Sequence, residues 1–504
     1  MLPLSIVDVV ITSTTAYLEA MPKGARKAKG QFFTSTATAR FMASRLDLEH
    51  LPECVSILDP GAGTGILSAA VIDRINNDGH NISAVSLTCY ETDPDVLPLL
   101  QSNLRTIAKL SKIPVTYQLI TDDYILSQRD EFTGSMFADS VRLYHIIIAN
   151  PPYVRVPRDD PHALAMPTVV HGAPNLYFLF LAMSLFNLRD GCEMVYIIPR
   201  SWTSGAYFEA FRRYLFDNGV ITHIHIFASR ERVFDAEQVL QETMIIVVRR
   251  TEQVPDNIIV TSSSDSRYID IAELSVPYST VVSWPTKYVF LPTSKSDIAT
   301  IEMINRYSQT LPQRGLRMRT GIVVDFRQWD DLRDGPGEHI LPLFYAQHIR
   351  EGRVHHRPSS GKNFDWIVDS KPGLIQRNKN YVFCKRFTAK EERRRLQCGV
   401  YQCDDYPEYT YIGTQNKINY VDYNDIEQSM DLPTAYGVYA LLNSTLFDNY
   451  YRILNGSTQV NSTEINSIPV PPLELIKEIG SRIIEGMDLS TPACDKIVME
   501  VAYD

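Results

Sequence analysis

The feature that most constrains the fold is a regular alternation of two hydrophobic periods between residues 55 and 250. Seven short apolar runs have the length and β-branched composition of buried strands. They are 55–59, 84–91, 115–120, 144–150, 193–199, 221–227 and 242–248. Helical spacing fills intervals such as 65–77, 93–110 and 175–191. This alternation predicts an α/β domain with a mostly parallel sheet covered on both faces. No clear helix separates the last two runs, which favours their antiparallel pairing.

The pattern loosens after about residue 252, where stretches rich in Pro, Ser and Tyr replace the strand–helix repeat. The sequence therefore predicts an N-terminal extension over residues 1–27 and an α/β domain over 28–252. A second domain of mixed α+β character is expected over 253–475, followed by a C-terminal helix or tail over 476–504.

A glycine loop follows the first strand, in the sequence DPGAGTG. Glycine at 61, 63 and 65 lets the backbone turn tightly and approach a ligand, with the N–H groups of the next helix nearby. Ile66 stands where a dinucleotide fingerprint has Gly or Ala, which disfavours a nicotinamide cofactor. The loop predicts a ligand site of another kind, with Gly61 and Gly63 as contacts.

Acidic residues mark the ends of three successive strands: Asp59, Glu91 and Asp123. Ligands of open α/β sheets bind at the carboxyl ends of the strands. Glu91 could accept hydrogen bonds from two ribose hydroxyls, and Asp123 could accept one from an exocyclic adenine amine. An exposed loop acid is the alternative at each position, but three together indicate an adenosine-bearing cofactor.

The fourth strand ends in Asn150-Pro151-Pro152-Tyr153. The Asn150 side-chain oxygen and the Pro151 carbonyl can each accept one N–H of a nucleobase amine, which frees the nitrogen lone pair toward an electrophile. The prolines hold that carbonyl rigidly. Tyr153 can stack on the base, so we expect its ring to matter more than its hydroxyl. An ordinary Asn-Pro turn is the alternative.

Together these motifs resemble the N6-adenine DNA methyltransferases of restriction–modification systems, in the gamma motif order typified by TaqI methylase. The match covers about residues 28–250, through GQFFTSTATARFMAS, DPGAGTG, CYETDPD, DDY, NPPYVR and the segment 175–202. The region from there to 475 is similar to PstI/BsuBI-type methylases. The resemblance implies a class I S-adenosylmethionine-dependent methyltransferase fold, with a Rossmann-like, seven-stranded sheet and a target-recognition domain over 253–475.

The same resemblance implies specific roles. S-adenosyl-L-methionine would be held by Phe32, Thr34 and Phe180 in addition to the loop and acidic residues above. The substrate would be adenine flipped out of double-stranded DNA, with Phe234 as a second stacking aromatic beside Tyr153. A cognate restriction endonuclease, encoded separately, would be a functional counterpart without a stable complex.

The distribution of charge along the chain favours a polyanionic partner for residues 301–400 only. The net charge is −10, but residues 301–400 contain 19 basic and 11 acidic residues, a balance of +8. Clustered arginines at 311–321, 348–357, 376–380 and 385–395 suit contacts to DNA phosphate and guanine. A solvated surface of mixed charge is the alternative.

Composition sets the expected compartment. The seven scattered cysteines include no CxxC pair, which argues for a reducing bacterial cytoplasm without disulfides or a metal site. No apolar run reaches 18 residues and no basic leader opens the chain, so neither a membrane span nor a signal peptide is expected.

Three other functions fit parts of the pattern. The same tetrapeptide could act on an RNA adenine or a protein glutamine, although about 250 further residues of basic, aromatic-rich chain favour DNA. A non-enzymatic DNA-binding module would leave the glycine loop unexplained. A fused nuclease would need more than the roughly 28 residues that precede the cofactor segment.

Overall fold

The computed structural model describes residues 5–20, 34–79, 81–136, 138–227, 242–357, 364–389, 392–455 and 459–504. The chain divides into two compact units, Met1–Thr293 and Ser294–Asp504. Among the described residues no helix combines the length and the apolar character needed to cross a bilayer.

The first unit is built on one mixed sheet of nine strands within its described residues. The strand order is β3-β2-β1-β4-β5-β7-β6-β8-β9. The first five strands along the chain run parallel, and β7 is antiparallel to both of its neighbours. The strands are β1 Cys54–Asp59, β2 Ala84–Tyr90, β3 Val115–Ile120, β4 Tyr144–Ala149, β5 Leu188–Pro199, β6 Val220–Phe227, β7 Thr243–Arg249, β8 Asn257–Ser263 and β9 Ala272–Pro277.

All seven strands expected from the sequence are present, and the predicted antiparallel pairing of the last two is confirmed. The sheet nevertheless continues past the expected seven strands. β8 pairs in parallel with β6, and β9 pairs antiparallel with β8 and forms the edge of the sheet. The predicted boundary after residue 252 therefore lies inside the first unit. Pairing satisfies the backbone groups that β6 would otherwise present at an open edge.

Helices cover both faces of this sheet. One apolar core joins the first helices to the inner strands, through residues such as Val7, Met42, Ile72 and Leu104. The predicted N-terminal extension includes α1, whose apolar face belongs to this core. The helices are α1 Ile6–Ala20, α2 Thr36–Ser44, α3 Ile66–Asp78, α4 Leu97–Leu110, α5 Arg129–Thr133, α6 Pro161–Ala165, α7 Leu176–Asn187, α8 Glu209–Asn218 and α9 Tyr278–Val281.

The second unit contains two sheets within its described residues. Their strand orders are β10-β20-β17-β18-β14-β13 and β11-β15-β12-β19-β16. The strands are β10 Leu316–Thr320, β11 Leu332–Arg333, β12 Ile340–Phe344, β13 Ile349–Arg350, β14 Gly352–Val354, β15 Trp366–Val368, β16 Ile375–Arg377, β17 Tyr381–Lys385, β18 Cys398–Tyr401, β19 Tyr411–Thr414 and β20 Ile418–Tyr423.

Helices complete the second unit and show that its C-terminal part is not a separate tail. They are α10 Lys295–Ile304, α11 Leu432–Asn443, α12 Thr445–Leu454, α13 Ser462–Ile465, α14 Leu473–Gly486 and α15 Thr491–Val498, with a last π-helical turn at Met499–Tyr503. α11 and α14 cross in backbone contact. A Cβ on Gly437 would lie 1.9 Å from the Ile476 oxygen, and one on Gly480 would lie 1.8 Å from the Pro433 oxygen. The expected boundary at 475/476 falls within α14. The two glycines allow α14 to pack closely on α11, so that α14 belongs to the second unit.

Candidate active site

A pocket of about 280 Å³ opens at the edge where β1, β2, β3 and β4 end. Parallel strands place their carboxyl ends together, so residues distant in sequence meet here. The pocket brings together eight of the residues selected from the sequence: Gly61, Gly63, Glu91, Asp123, Asn150, Pro151, Pro152 and Phe180. Its other lining residues, which the sequence analysis did not assign, are Pro60, Tyr90, Thr92, Asp93, Asp122, Tyr124, His162 and Leu176.

The glycine loop forms the floor of the pocket. Gly63 and Gly65 have φ angles of +53° and +83°, in the left-handed region that side chains rarely adopt. Gly65 is the N-cap of α3, and a Cβ there would press within 3.0 Å of Leu100 in α4. The loop therefore needs glycine both for its turn and for its close packing on α4.

Two polar contacts hold the loop from behind. The Asn103 side-chain amide donates to the Thr64 carbonyl at 2.8 Å. The hydroxyls of Thr14 and Thr64 are hydrogen-bonded at 2.9 Å, and both side chains are buried. Thr14 lies on α1, so a helix outside the expected catalytic segment positions the glycine loop.

Glu91 links the second strand to the loop. Its Oε2 accepts the Gly63 N–H at 2.9 Å, while Oε1 accepts the N–H groups of Thr92 and Asp93 at 2.9 and 2.8 Å. Three backbone donors therefore fix one carboxylate at the pocket wall. The two bonds to Oε1 use both of its lone-pair sites, whereas Oε2 accepts one N–H and keeps one site for a ligand hydroxyl.

Asp59 lies beneath the pocket and not on its wall. The residue is completely buried, and its Oδ2 accepts the Ser68 hydroxyl at 2.7 Å. Burial raises the pKa of Asp59 to about 7, with the Ser68 hydrogen bond opposing that rise and Glu91 adding to it. The structure thus gives Asp59 an internal bond to α3 and no exposed surface for the cofactor contact expected from the sequence.

Asp123 is joined to a histidine that the sequence analysis did not single out. Its Oδ2 lies 2.9 Å from His162 Nε2, and Oδ1 accepts the Leu126 N–H at 2.9 Å. The other ring nitrogen of His162 lies 2.6 Å from Asp160 Oδ1. His162 is on α6, which begins eight residues after the tetrapeptide, and no local pattern shows that it returns to Asp123.

The two carboxylates raise the pKa of His162 and favour its charged form. Its hydrogen bond to Asp123 raises its pKa to about 9; burial opposes that rise, and the bond to Asp160 supports it. Desolvation alone would raise the pKa of Asp123, but the hydrogen bonds from His162 and from backbone N–H groups outweigh it and lower the pKa.

Aromatic rings form the apolar side of the pocket. Phe180 lies under the glycine loop, and a Cβ on Gly61 would be 3.7 Å from its ring. Tyr124 packs against Phe180 with ring centroids 5.6 Å apart, and Tyr90 packs against Tyr124 at 5.1 Å. This wall places an apolar surface next to the acid Asp123, as a purine ring with an amino group requires.

The tetrapeptide closes the opposite side of the pocket. The Asn150 carboxamide is held at both ends: its Nδ2 donates to Thr34 Oγ1 at 3.2 Å, and its Oδ1 lies 2.9 Å from the Tyr153 hydroxyl. Thr34 therefore contacts Asn150 and is absent from the pocket lining.

Tyr153 differs from the expectation. Its side chain is only 9% exposed, its ring meets Tyr177 edge-on, and it does not line the pocket. The single hydroxyl proton is shared between Asn150 Oδ1 and the Ile197 carbonyl, 3.0 Å away. We expected the ring to matter more than the hydroxyl, but the structure buries most of the side chain and directs the hydroxyl to the Asn150 carboxamide. Phe32 and Phe234 lie outside the described residues.

Comparisons with known proteins agree with this geometry. A family model described as Eco57I restriction-modification methylase matches residues 73–234. The chain is 32% identical to the type II methyltransferase M.BsuBI of Bacillus subtilis, over 91% of each chain. It is 30% identical to the type II methyltransferase M.PstI of Providencia stuartii, over 96% of this chain and 95% of the relative.

Solved structures support the fold. The type IIL restriction-modification enzyme MmeI, in complex with DNA, superposes with a TM-score of 0.57 at 11% identity, over 99% of this chain and 79% of its own. The DrdV–DNA complex gives a TM-score of 0.50 at 13% identity, over 96% and 60%. With the sheet order and pocket described above, the extent of the sequence match leads to one conclusion: the chain belongs to the type II methyltransferases of restriction–modification systems and is a DNA methyltransferase with the class I S-adenosylmethionine-dependent fold.

Proposed function

We propose that the chain transfers a methyl group from S-adenosyl-L-methionine to N6 of adenine in double-stranded DNA. The observation that carries this proposal is the meeting of Asn150 and Pro151 with the glycine loop and Glu91 around one pocket. An amine acceptor and a nucleoside site on the same strand edge are what such a transfer requires.

The residues present fit the cofactor. Glu91 Oε2 would accept a ribose hydroxyl, Asp123 the adenine amine, and Phe180 with Tyr124 would pack on the purine ring. Four acids line the pocket beside one histidine, which suits a ligand that carries a sulfonium charge. When bound, the cofactor supplies an electrophilic methyl group.

The tetrapeptide would activate the target amine. Asn150 Oδ1 and the Pro151 carbonyl would each accept one N–H, which pyramidalises the nitrogen and directs its lone pair into the pocket. Thr34 and Tyr153 keep the Asn150 amide in a fixed orientation, so little reorganisation accompanies the reaction. No strong general base is needed, because the methylated ammonium product is acidic.

Access to this site requires that adenine leave the duplex, at a cost of a few kcal/mol. We propose that DNA binding uncovers the Tyr153 ring so that it stacks on the flipped base, and that Phe234 supports the other face. The second unit would read the DNA sequence, in line with the DNA complexes solved for MmeI and DrdV. Bacterial restriction–modification relatives support protection of cytoplasmic DNA from a cognate endonuclease as the purpose.

The test is to express the chain in a bacterium without DNA methylation and sequence its DNA with detection of modified bases. N6-methyladenine in one recurrent sequence is expected, and Asn150→Ala expressed at the same level should leave the DNA unmodified. N4-methylcytosine, or methyl transfer only to RNA or to a protein glutamine, would refute the adenine assignment.

A further inference from the structure

A large basic cavity lies within the second unit. Its volume is about 710 Å³, and all its lining residues belong to that unit. Four basic side chains line it, namely Arg350, Arg353, Lys385 and Arg394, against one acid, Glu351. The lining therefore has a net charge of +3 in a chain whose net charge is −10.

The tertiary fold brings these cations together. Arg350 and Arg353 come from the basic stretch 348–357, whereas Lys385 and Arg394 come from 385–395. The β13–β14 hairpin and the neighbouring β17 and β18 place both stretches around one concave surface. The sequence analysis took these stretches as suited to contacts with DNA phosphate and guanine, and the structure brings residues of two of them to one cavity.

The β13–β14 hairpin places two like charges opposite each other. Arg350 and Arg353 face each other directly across the β13–β14 pair, an arrangement of like charges that destabilises a hairpin. Neither arginine, nor Lys385, has a carboxylate within 4 Å among the residues that the structure places. Arg350 donates to the Gln347 carbonyl, Arg353 to the Tyr436 hydroxyl and Lys385 to Gln397.

The turn between the two arginines is also specified tightly. Glu351 and Gly352 have φ angles of +49° and +77°, a conformation that costs free energy for Glu351. A Cβ on Gly352 would lie 2.4 Å from the Tyr439 hydroxyl. A strained turn, packed against α11, therefore places two arginines at directly opposite positions of the hairpin. Arg394 differs, since it donates to the carbonyls at the end of α11 and serves the fold.

We propose that this cavity is a phosphate-binding site that takes the sugar–phosphate backbone of duplex DNA without reading its sequence. The proposal rests on the proposed function and names a place in the second unit where DNA is held. Paired guanidinium groups match the oxygens of a phosphate, and an anion between them would remove the repulsion across the hairpin.

The decisive variant is Arg350→Gln with Arg353→Gln, measured by binding of a fluorescent duplex over a range of salt concentrations. A matched control is Lys295→Gln with Lys496→Gln, which removes two exposed positive charges of the same unit outside the cavity. Loss of two phosphate contacts should make the negative slope of the logarithm of the binding constant against the logarithm of salt concentration less steep by about 1.8. It should also weaken binding on the order of tenfold. Duplexes with and without the recognition sequence should lose the same factor.

Equal slopes for the cavity variant and the control would overturn the proposal. Titration with inorganic phosphate and with adenosine monophosphate tests whether the phosphate group bound in the cavity belongs to a small ligand and not to DNA. If either binds the wild type, fails to bind the cavity variant, and DNA affinity is unchanged, a small phosphorylated ligand occupies the site and the DNA assignment is wrong. Arg350→Gln alone, at an exposed side chain, gives the same test if the double variant does not fold.

The binding measurement does not depend on methyl transfer. A wild-type chain that binds duplex DNA with the expected slope but never methylates it would contradict the proposed function and leave the cavity assignment standing. If the enzyme methylates DNA but its salt slope is the same with and without Arg350 and Arg353, the proposed function stands and the cavity assignment is wrong.

Discussion

The ion triad of Asp123, His162 and Asp160 gives a prediction that can be worked out quantitatively. The pKa of His162 is raised from 6.5 to about 9, first by the hydrogen bond to Asp123 and less by that to Asp160. Converted in full to free energy, this rise in pKa would favour the charged ring by about 3.4 kcal/mol. Because the imidazole is 20% exposed, solvent screening reduces the usable part to about 1–2 kcal/mol.

The perturbation is Asp123→Asn, with Asp160→Asn as a graded comparison. We expect the His162 titration midpoint to fall in both variants, and to fall further without Asp123. The assay is NMR of histidine-labelled protein across pH 5–10, with the His162 signal assigned by its loss in His162→Gln. A wild-type midpoint near the ordinary value, or a larger effect of Asp160→Asn, would refute the reasoning.

The sign of the linked stability effect follows from the same pKa directions. A raised histidine pKa contributes stability that is complete below about 6.5 and is lost as the pH rises through about 9. The lowered pKa of Asp123 contributes stability above 3.8, which is lost as the pH falls through the folded-state pKa. Urea unfolding of wild type and His162→Gln should therefore differ most near pH 6 and converge by pH 10. A difference that grows with pH would contradict the triad.

Three further predictions concern the candidate active-site pocket. Asn150→Ala should lower turnover by about 10²–10³-fold with cofactor affinity nearly unchanged by calorimetry, whereas weak cofactor binding with normal turnover would remove its assigned role. Tyr153→Phe should lower turnover by up to about tenfold because the amide loses one orienting hydrogen bond, and Tyr153→Ala should cost more; a Phe variant equal to wild type would show that only the ring matters. Glu91→Gln should weaken cofactor binding on the order of tenfold, since the loop N–H groups lose a charged acceptor, and unchanged affinity in the same titration would argue against that role.

Much of the fold and of the pocket could be predicted from sequence because the signals are local. The run 144–150 has an apolar, β-branched centre at residues 146–148, and glycine at 63 and 65 permits a left-handed turn that other residues rarely adopt. Once the strands are parallel, Glu91, Asp123 and Asn150 necessarily meet at one edge. The sheet beyond residue 252 was missed, because β8 is specified by its pairing with β6 and β9 by its pairing with β8, and not by a strong pattern of their own.

Several features were decided only by tertiary structure. His162 reaches Asp123 because α6 folds back over the pocket; Thr14 supports the glycine loop from a helix assigned to an extension. Tyr153 was expected to present its ring, yet packing on Tyr177 buries the ring and gives the hydroxyl to Asn150.

The α/β class, the strand edge that holds the site and the residues of its polar wall follow from the sequence alone, since each depends on short-range periodicity and turn chemistry. Tertiary structure decided which side chains face the pocket, which are buried beneath it and which basic stretches share one cavity. These outcomes depend on contacts between residues far apart in the chain, where packing and charge, not spacing, select the partner.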